Sequence, residues 1–151
     1  MDLIKYNHEK KRSTYKLSDR YRKAWHYIDR PWLEEHVCLL KKVVPNYLLN
    51  YGIENGDMFI EVNIIPGVVA SKFQHTYEFM EQIYNFCLEN IEETSPYVHG
   101  DWVLSNILIH DGEIRLCDWD NLGIYPQDKV LEKLHSDLLS AFGPDFKLVM
   151  Q

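Results

Sequence analysis

No glycine precedes Gly52, so the first stretch of the chain has no glycine-rich loop of the kind whose backbone amides cradle phosphates. No apolar run approaches the roughly 20 residues a membrane-spanning helix needs. Met1-Asp2-Leu3-Ile4-Lys5 has none of the character of a signal peptide. Cysteine is scarce. Cys38, Cys87 and Cys117 are odd in number and have no metal-ligating spacing, which speaks against a disulfide framework or a zinc site. Each sits in an apolar run and is expected to be a buried, reduced thiol in a cytoplasmic protein. Internal repeats and low-complexity tracts are missing. Positive charge is in deficit: the net charge of −7 disfavours nucleic acid and anionic membranes as partners.

What is present is a globular composition. The chain has 151 residues, 46% of them hydrophobic and 13% aromatic, enough for one domain with a core or for two small lobes. Ten Tyr and four Trp suit a core with polar edges.

The most informative stretch is His99-Gly100-Asp101-Trp102-Val103-Leu104-Ser105-Asn106, followed by Asp118-Trp119-Asp120. Ile107 to His110 reads as a strand, Asp111-Gly112 as a two-residue turn, and Glu113 to Cys117 as the return strand. Asp-Gly between two such runs is a strong hairpin signal, because a type I′ turn needs positive φ at both central residues. A hairpin brings its ends together, so Asn106 just before it and Asp118 just after it can reach one ion. Magnesium takes oxygen ligands and bridges nucleotide phosphates. A separate carboxylate must accept the proton of an attacking hydroxyl. Asp101 is the expected base; Asn106 and Asp118 are the expected metal ligands.

These residues resemble the catalytic and metal-binding segments of the aminoglycoside phosphotransferase and choline kinase family, the small-molecule branch of the protein-kinase-like fold. That family reads His-Gly-Asp, four residues, Asn, and later Ile-Asp-Trp or a similar run. Gly100 and Trp119 distinguish the stretch from the His-Arg-Asp and Asp-Phe-Gly of protein kinases. The resemblance implies an α+β, two-lobe fold in reduced form. Residues 1–66 would be a small sheet lobe with one helix, and 67–151 a truncated helical lobe carrying the catalytic hairpin. It implies a phosphotransferase acting on an alcohol group, with ATP or GTP as donor, Mg²⁺ as cofactor, and an acceptor that the sequence does not identify. His99 is expected to be structural, bonded to backbone beneath the loop.

Further elements follow from the residue pattern, and the roles of Lys16, Glu35 and the adenine run from the same resemblance. Asp2–Tyr6 and Ser13–Ser18 form an expected hairpin. Lys16, in the second strand, would bind the α- and β-phosphates, with Lys23 as its competitor. A helix is expected from Trp32 to Val44, capped by Asp29, with Pro31 in its first turn and Pro45 as its stop. Its buried stripe would be Leu33, Val37, Leu40 and Val44. Glu35, or Glu34, would hold the phosphate-binding lysine. Tyr47–Gly52 and Met58–Ile64 make a second hairpin through Asn55-Gly56. Adenine would stack near Val62 to Ile65, in particular Val62, Ile64 and Ile65. A long helix, Ser71–Glu93, would present Phe79, Ile83, Phe86, Cys87 and Asn90. A last helix, Lys129–Phe142, would be capped by Asp128 and ended by Gly143-Pro144, with Asp145–Gln151 as a tail.

Two departures from the family pattern are expected. The chain would begin at the second strand of the small lobe, and Lys10-Lys11-Arg12-Ser13 would do part of the missing loop's work by charge. A single helix would follow the metal-binding aspartate. The acceptor site would then be open, or completed by a second subunit or another partner. The competing function is a kinase-shaped binding module without turnover; a metal-dependent hydrolase is weaker, for want of a His-rich ligand set.

Overall fold

The computed structural model describes residues 2–73 and 76–142. The chain forms two compact units, Met1–Ile64 and Ile65–Gln151. The sequence had placed the division after Pro66.

The first unit is a five-stranded antiparallel sheet with one helix. Its strands are β1 (Asp2–Asn7), β2 (Arg12–Lys16), β3 (Arg20–Trp25), β4 (Leu48–Glu54) and β5 (Asp57–Asn63), in spatial order β1-β2-β3-β5-β4. Two expected hairpins accounted for four strands. The fifth is β3, Arg20-Tyr21-Arg22-Lys23-Ala24-Trp25, which the sequence pattern does not announce. Its charges hid it, because their burial depends on a partner far along the chain. Glu61 on β5 is buried, and it accepts from Arg22 Nε at 2.9 Å, Arg20 Nη1 at 3.3 Å and Asn50 Nδ2 at 3.4 Å. Arg22 also lies over the Phe59 ring at 4.0 Å. Charge-assisted bonds and stacking thus cover one face of the β3–β5 ladder.

The opposite face carries Met58, Ile60 and Val62, all fully buried. Helix α1 (Arg30–Val43) packs there: Trp32 meets Trp25 edge-on at 5.1 Å, and the Asp29 amide points at the Met58 sulfur at 3.5 Å. Asp29 caps the helix by accepting from the Trp32 amide at 3.2 Å, with Pro31 in the first turn as expected. The buried stripe is Leu33, His36, Val37 and Leu40. His36 stacks on Trp32 at 4.9 Å and takes a place the periodicity had left to apolar residues. The β4–β5 turn is type I′-like, with Asn55 and Gly56 at φ 53° and 81°. Cys38 is exposed, contrary to expectation, because it lies off the apolar stripe; Cys87 is buried and Cys117 half-buried, and none of the three is in a disulfide.

The second unit is mainly helical. Helix α2 (Tyr77–Thr94) starts at Thr76, whose hydroxyl accepts from the Phe79 amide at 3.2 Å. Ahead of it, Ala70–Lys72 is one 3-10 turn, so the helix does not reach back to Ser71. Its buried face is Met80, Ile83, Cys87 and Ile91, rotated from the stripe through Phe79 and Phe86. Burial pushes the Cys87 thiol up to about 12, so it stays protonated.

A three-stranded sheet follows, in order β6 (Val68–Val69), β7 (Ile107–His110), β8 (Glu113–Leu116). The β7–β8 hairpin is the expected one, and its turn has Asp111 at φ 50° and Gly112 at φ 77°. Helix α3 (Gln127–Phe142) begins earlier than expected, so Asp128 lies inside its first turn and is not its cap. Val130, Leu134 and Leu138 are buried on it, each contributing about 1.5–3 kcal/mol of apolar burial. The expected Gly143-Pro144 stop and the 145–151 tail lie outside the described residues.

Candidate functional site

The loop from His99 to Asn106 enters from an isolated bridge, Val98 with Gly123, and leaves into β7. Leu104–Asn106 is a one-turn 3-10 helix within it. Gly100 sits at φ +87°, and a Cβ added there would lie 2.1 Å from the Asn121 carbonyl oxygen. Both facts demand glycine: the backbone conformation is left-handed, and a neighbouring backbone occupies the space.

His99 is fully buried and uses both ring nitrogens. Nε2 donates to the Cys117 carbonyl at 2.8 Å, and Nδ1 accepts from the Asp101 amide at 3.2 Å. This fixes one neutral tautomer. Burial holds the His99 pKa below its ordinary value of 6.5, against the Cys117 hydrogen bond and the charges of Asp118, Asp101 and Asp120, which favour the cation. The ring packs edge-on against Trp119 at 4.7 Å. His99 therefore ties the start of the loop to the residue before Asp118, and three carboxylates lie close enough to act on it electrostatically.

Asn106 ties the same loop together from its other end. Its Nδ2 donates to the Asp101 carbonyl at 3.1 Å and to Asp101 Oδ2 at 2.8 Å. With the NH₂ group committed, its Oδ1 is the atom left for a cation. The Asn106 carbonyl accepts from the Cys117 amide at 3.0 Å, one residue before Asp118. Asp118 is half-buried with φ 59°, an αL conformation uncommon outside glycine and tolerated best by Asp and Asn. An outlier held in place at such a junction is where function is to be sought. Asp120, two residues after Asp118, is buried. Asp101, Asn106 and Asp118 are thus linked through two hydrogen-bonded tethers, at His99 and at Asn106.

The donor set fits Mg²⁺: one carboxylate and one amide oxygen, with no nitrogen or sulfur ligand. Among the described residues no group of three or more His, Cys, Asp or Glu could hold a metal by itself.

The remaining expected site residues lie in the first unit, except Ile65, which opens the second. Lys16 is exposed at the end of β2, and Glu35 is exposed on α1, as is Glu34; no ion pair joins Lys16 to Glu35. Lys23, the competitor, is buried in β3, two residues from Trp25 and therefore on the face α1 covers. Its Nζ lies 3.4 Å from the Tyr47 hydroxyl. Arg12 is buried with its guanidinium 5.8 Å from the centre of the Trp25 ring, so it is a packed residue and not part of a solvated tip. Val62 is buried in β5, and Ile64 and Ile65 are half-buried at the end of the first unit and the start of the second.

Two residues at the loop escaped the sequence. Lys133 on α3 pairs with Asp101 Oδ1, and Asp137 on the same helix accepts from the Leu104 amide at 2.7 Å. Both act across more than thirty positions, and no local pattern announces such a contact.

No protein-family model matches the chain, and a comparison with curated proteins returns no match. Solved structures do match. An aminoglycoside phosphotransferase, APH(3'')-Id from Streptomyces rimosus, aligns with a TM-score of 0.66 at 12% identity, over 95% of this chain and 79% of that one. The bifunctional kinase-methyltransferase WbdD aligns with a TM-score of 0.65 at 12% identity, over 88% of this chain and 35% of that one. A second WbdD structure gives 0.62 at 11% identity, over 93% and 38%. The chain therefore spans a little over a third of the length of the WbdD chains it matches. Its fold, mixed sheet and helix in two units, is kinase-like.

Proposed function

We propose that the chain is an ATP-dependent phosphotransferase that moves a γ-phosphoryl group to a hydroxyl acceptor. The observation that carries this is the double bond from Asn106 to Asp101, to backbone and to carboxylate, beside the Asn106–Cys117 tether that seats Asp118. Such bonds would hold a base and two oxygen ligands in fixed relation before substrate arrives, which is where most of the catalytic advantage in phosphoryl transfer lies.

In this reading Asp101 accepts the proton of the acceptor hydroxyl as that oxygen forms its bond to the γ-phosphorus. The bond to the nucleoside diphosphate oxygen breaks, and the diphosphate leaves with its electron pair. Asn106 orients the base through Oδ2 while offering Oδ1 to the cation. Asp118 offers its carboxylate. Mg²⁺ bound there would offset the charge of the phosphate oxygens. His99, neutral and immobile, keeps the loop from rearranging. In the first unit Lys23 is the better phosphate lysine than Lys16, since it is buried on the α1-covered face, whereas Lys16 is exposed at a strand end. Val62, Ile64 and Ile65 are assigned to the purine. ATP is taken as donor, with GTP as the alternative.

One observation favours a second reading, a nucleotide- or partner-binding module of weak activity. Both α1 glutamates face solvent, and the buried place on that helix face belongs to His36. The lysine–glutamate pair of active kinases is therefore not made by Glu34 or Glu35.

Thermal melting with ATP and Mg²⁺ tests the site. A ligand that binds the folded state at a hundred times its Kd adds about 2.7 kcal/mol to stability. The native chain should melt several degrees higher with MgATP than with ATP and EDTA, and Asp118→Ala should lose that difference. An Asp118→Ala protein that keeps the full Mg²⁺-dependent shift removes Asp118 from the metal site.

A further inference from the structure

Both oxygens of the Asp101 carboxylate are held, and by different parts of the chain. Oδ2 accepts from Asn106 Nδ2 at 2.8 Å, within the loop. Oδ1 accepts from Lys133 Nζ at 2.5 Å, from helix α3. Between Asp101 and Asn106 the loop reads Trp102-Val103-Leu104-Ser105, so it supplies no cation of its own.

Helix α3 makes a second contact with the same loop. Asp137 accepts from the Leu104 amide at 2.7 Å. Positions 133 and 137 are four apart and lie on one face of a helix. The helix is anchored by Val130, Leu134 and Leu138, all buried. It thus grips the loop at residues 101 and 104, and the grip has a fixed register.

Stability does not account for the pair. The Lys133 and Asp101 side chains are 49% and 23% exposed, and water screens an ion pair so placed. What the pair does is geometric and electrostatic. With Oδ1 and Oδ2 both bonded, the carboxylate has one orientation. Each oxygen keeps a further lone pair for an acceptor hydroxyl.

We infer that Lys133 is a positioning residue for the base: its ammonium fixes the plane of the Asp101 carboxylate and brings to the loop the positive charge the loop lacks. This rests on the phosphotransferase reading of the same site.

The test uses the full chain and two readouts. In ligand-free protein, Lys133→Met should shift and broaden the NMR signals of the Asn106 side-chain amide, which bonds the other oxygen of the same carboxylate; Lys133→Arg should keep them near their native positions. With MgATP, and water as acceptor, Lys133→Met should lower the kcat of phosphate release by about ten- to a hundredfold, leave KM for MgATP unchanged, and be largely rescued by Lys133→Arg. In an Asp101→Asn background, Lys133→Met should cause no further loss. Melting curves verify that each variant is folded. An unmoved Asn106 signal, a native kcat in Lys133→Met, or an additive loss in the double variant each overturns the positioning role alone. If native protein releases phosphate no faster than Asp118→Ala, the phosphotransferase reading falls, and this role falls with it.

Discussion

Asp101→Asn should cut phosphoryl transfer by about a hundred- to ten-thousandfold, the range a general base contributes, while MgATP still raises the melting temperature. The substitution is nearly isosteric and leaves the loop its backbone bonds. His99 still accepts from the residue 101 amide, and Asn106 still bonds its carbonyl. What is lost is a group that can take a proton. Turnover can be read as phosphate release with water as acceptor, before any acceptor is identified, with binding read separately by melting. Turnover retained within a few-fold would remove Asp101 as the base; loss of both turnover and binding would make it a structural residue.

Gly100→Ala should be the most destabilising small substitution in the loop. The added methyl would meet the Asn121 carbonyl oxygen at 2.1 Å, a backbone atom that a neighbouring side chain cannot yield for. Asn121 is itself engaged, since its carbonyl accepts from the Tyr125 hydroxyl at 2.7 Å. The left-handed backbone at φ +87° adds its own penalty. Together these should cost about 3–5 kcal/mol, a fall in melting temperature on the order of 10 °C for a chain of this size. Gly112→Ala supplies the control. Gly112 has φ +77° but nothing within 4 Å of an added Cβ, so it carries the conformational cost without the clash, about 1 kcal/mol. Equal melting losses in the two variants would mean that the close approach of Gly100 to Asn121 does not matter.

The parts of this protein that were legible in its sequence are those whose physics is local. Asp111-Gly112 and Asn55-Gly56 specify their hairpins through the φ values that two adjacent residues can adopt. Asp29 and Pro31 mark the start of α1 through capping. The spacing from Asp101 to Asn106, and the hairpin leading to Asp118, placed three polar side chains at one end of a small sheet. Features that depend on partners distant in the chain were not legible. Strand β3 looks like a basic, aromatic stretch until Glu61, 39 residues beyond Arg22, turns its arginines inward. Lys16 and Lys23 differ in burial, exposed at the end of β2 and buried within β3, and neighbouring sequence does not show that difference. Lys133 and Asp137 were invisible for the same reason. The α2 stripe was displaced because Phe79 and Phe86 are apolar yet only half-buried, while Met80 and Ile91 take the core. Aromatic content marks apolar surface, and the direction a helix faces is set by what it packs on.

In the proposed site one cation is shared by Asn106 and Asp118 beside Asp101. Manganese substituted for magnesium in the ATP complex reports on it directly, because its unpaired electrons broaden NMR signals according to distance. Mn²⁺ should broaden the Asn106 side-chain amide and the Asp101 and Asp118 backbone amides most strongly, more than Glu113 at the far end of the hairpin, and Asp118→Ala should abolish that broadening. Broadening at only one of Asn106 and Asp118, or strongest near Glu113, would contradict the shared site and the phosphoryl-transfer account built on it.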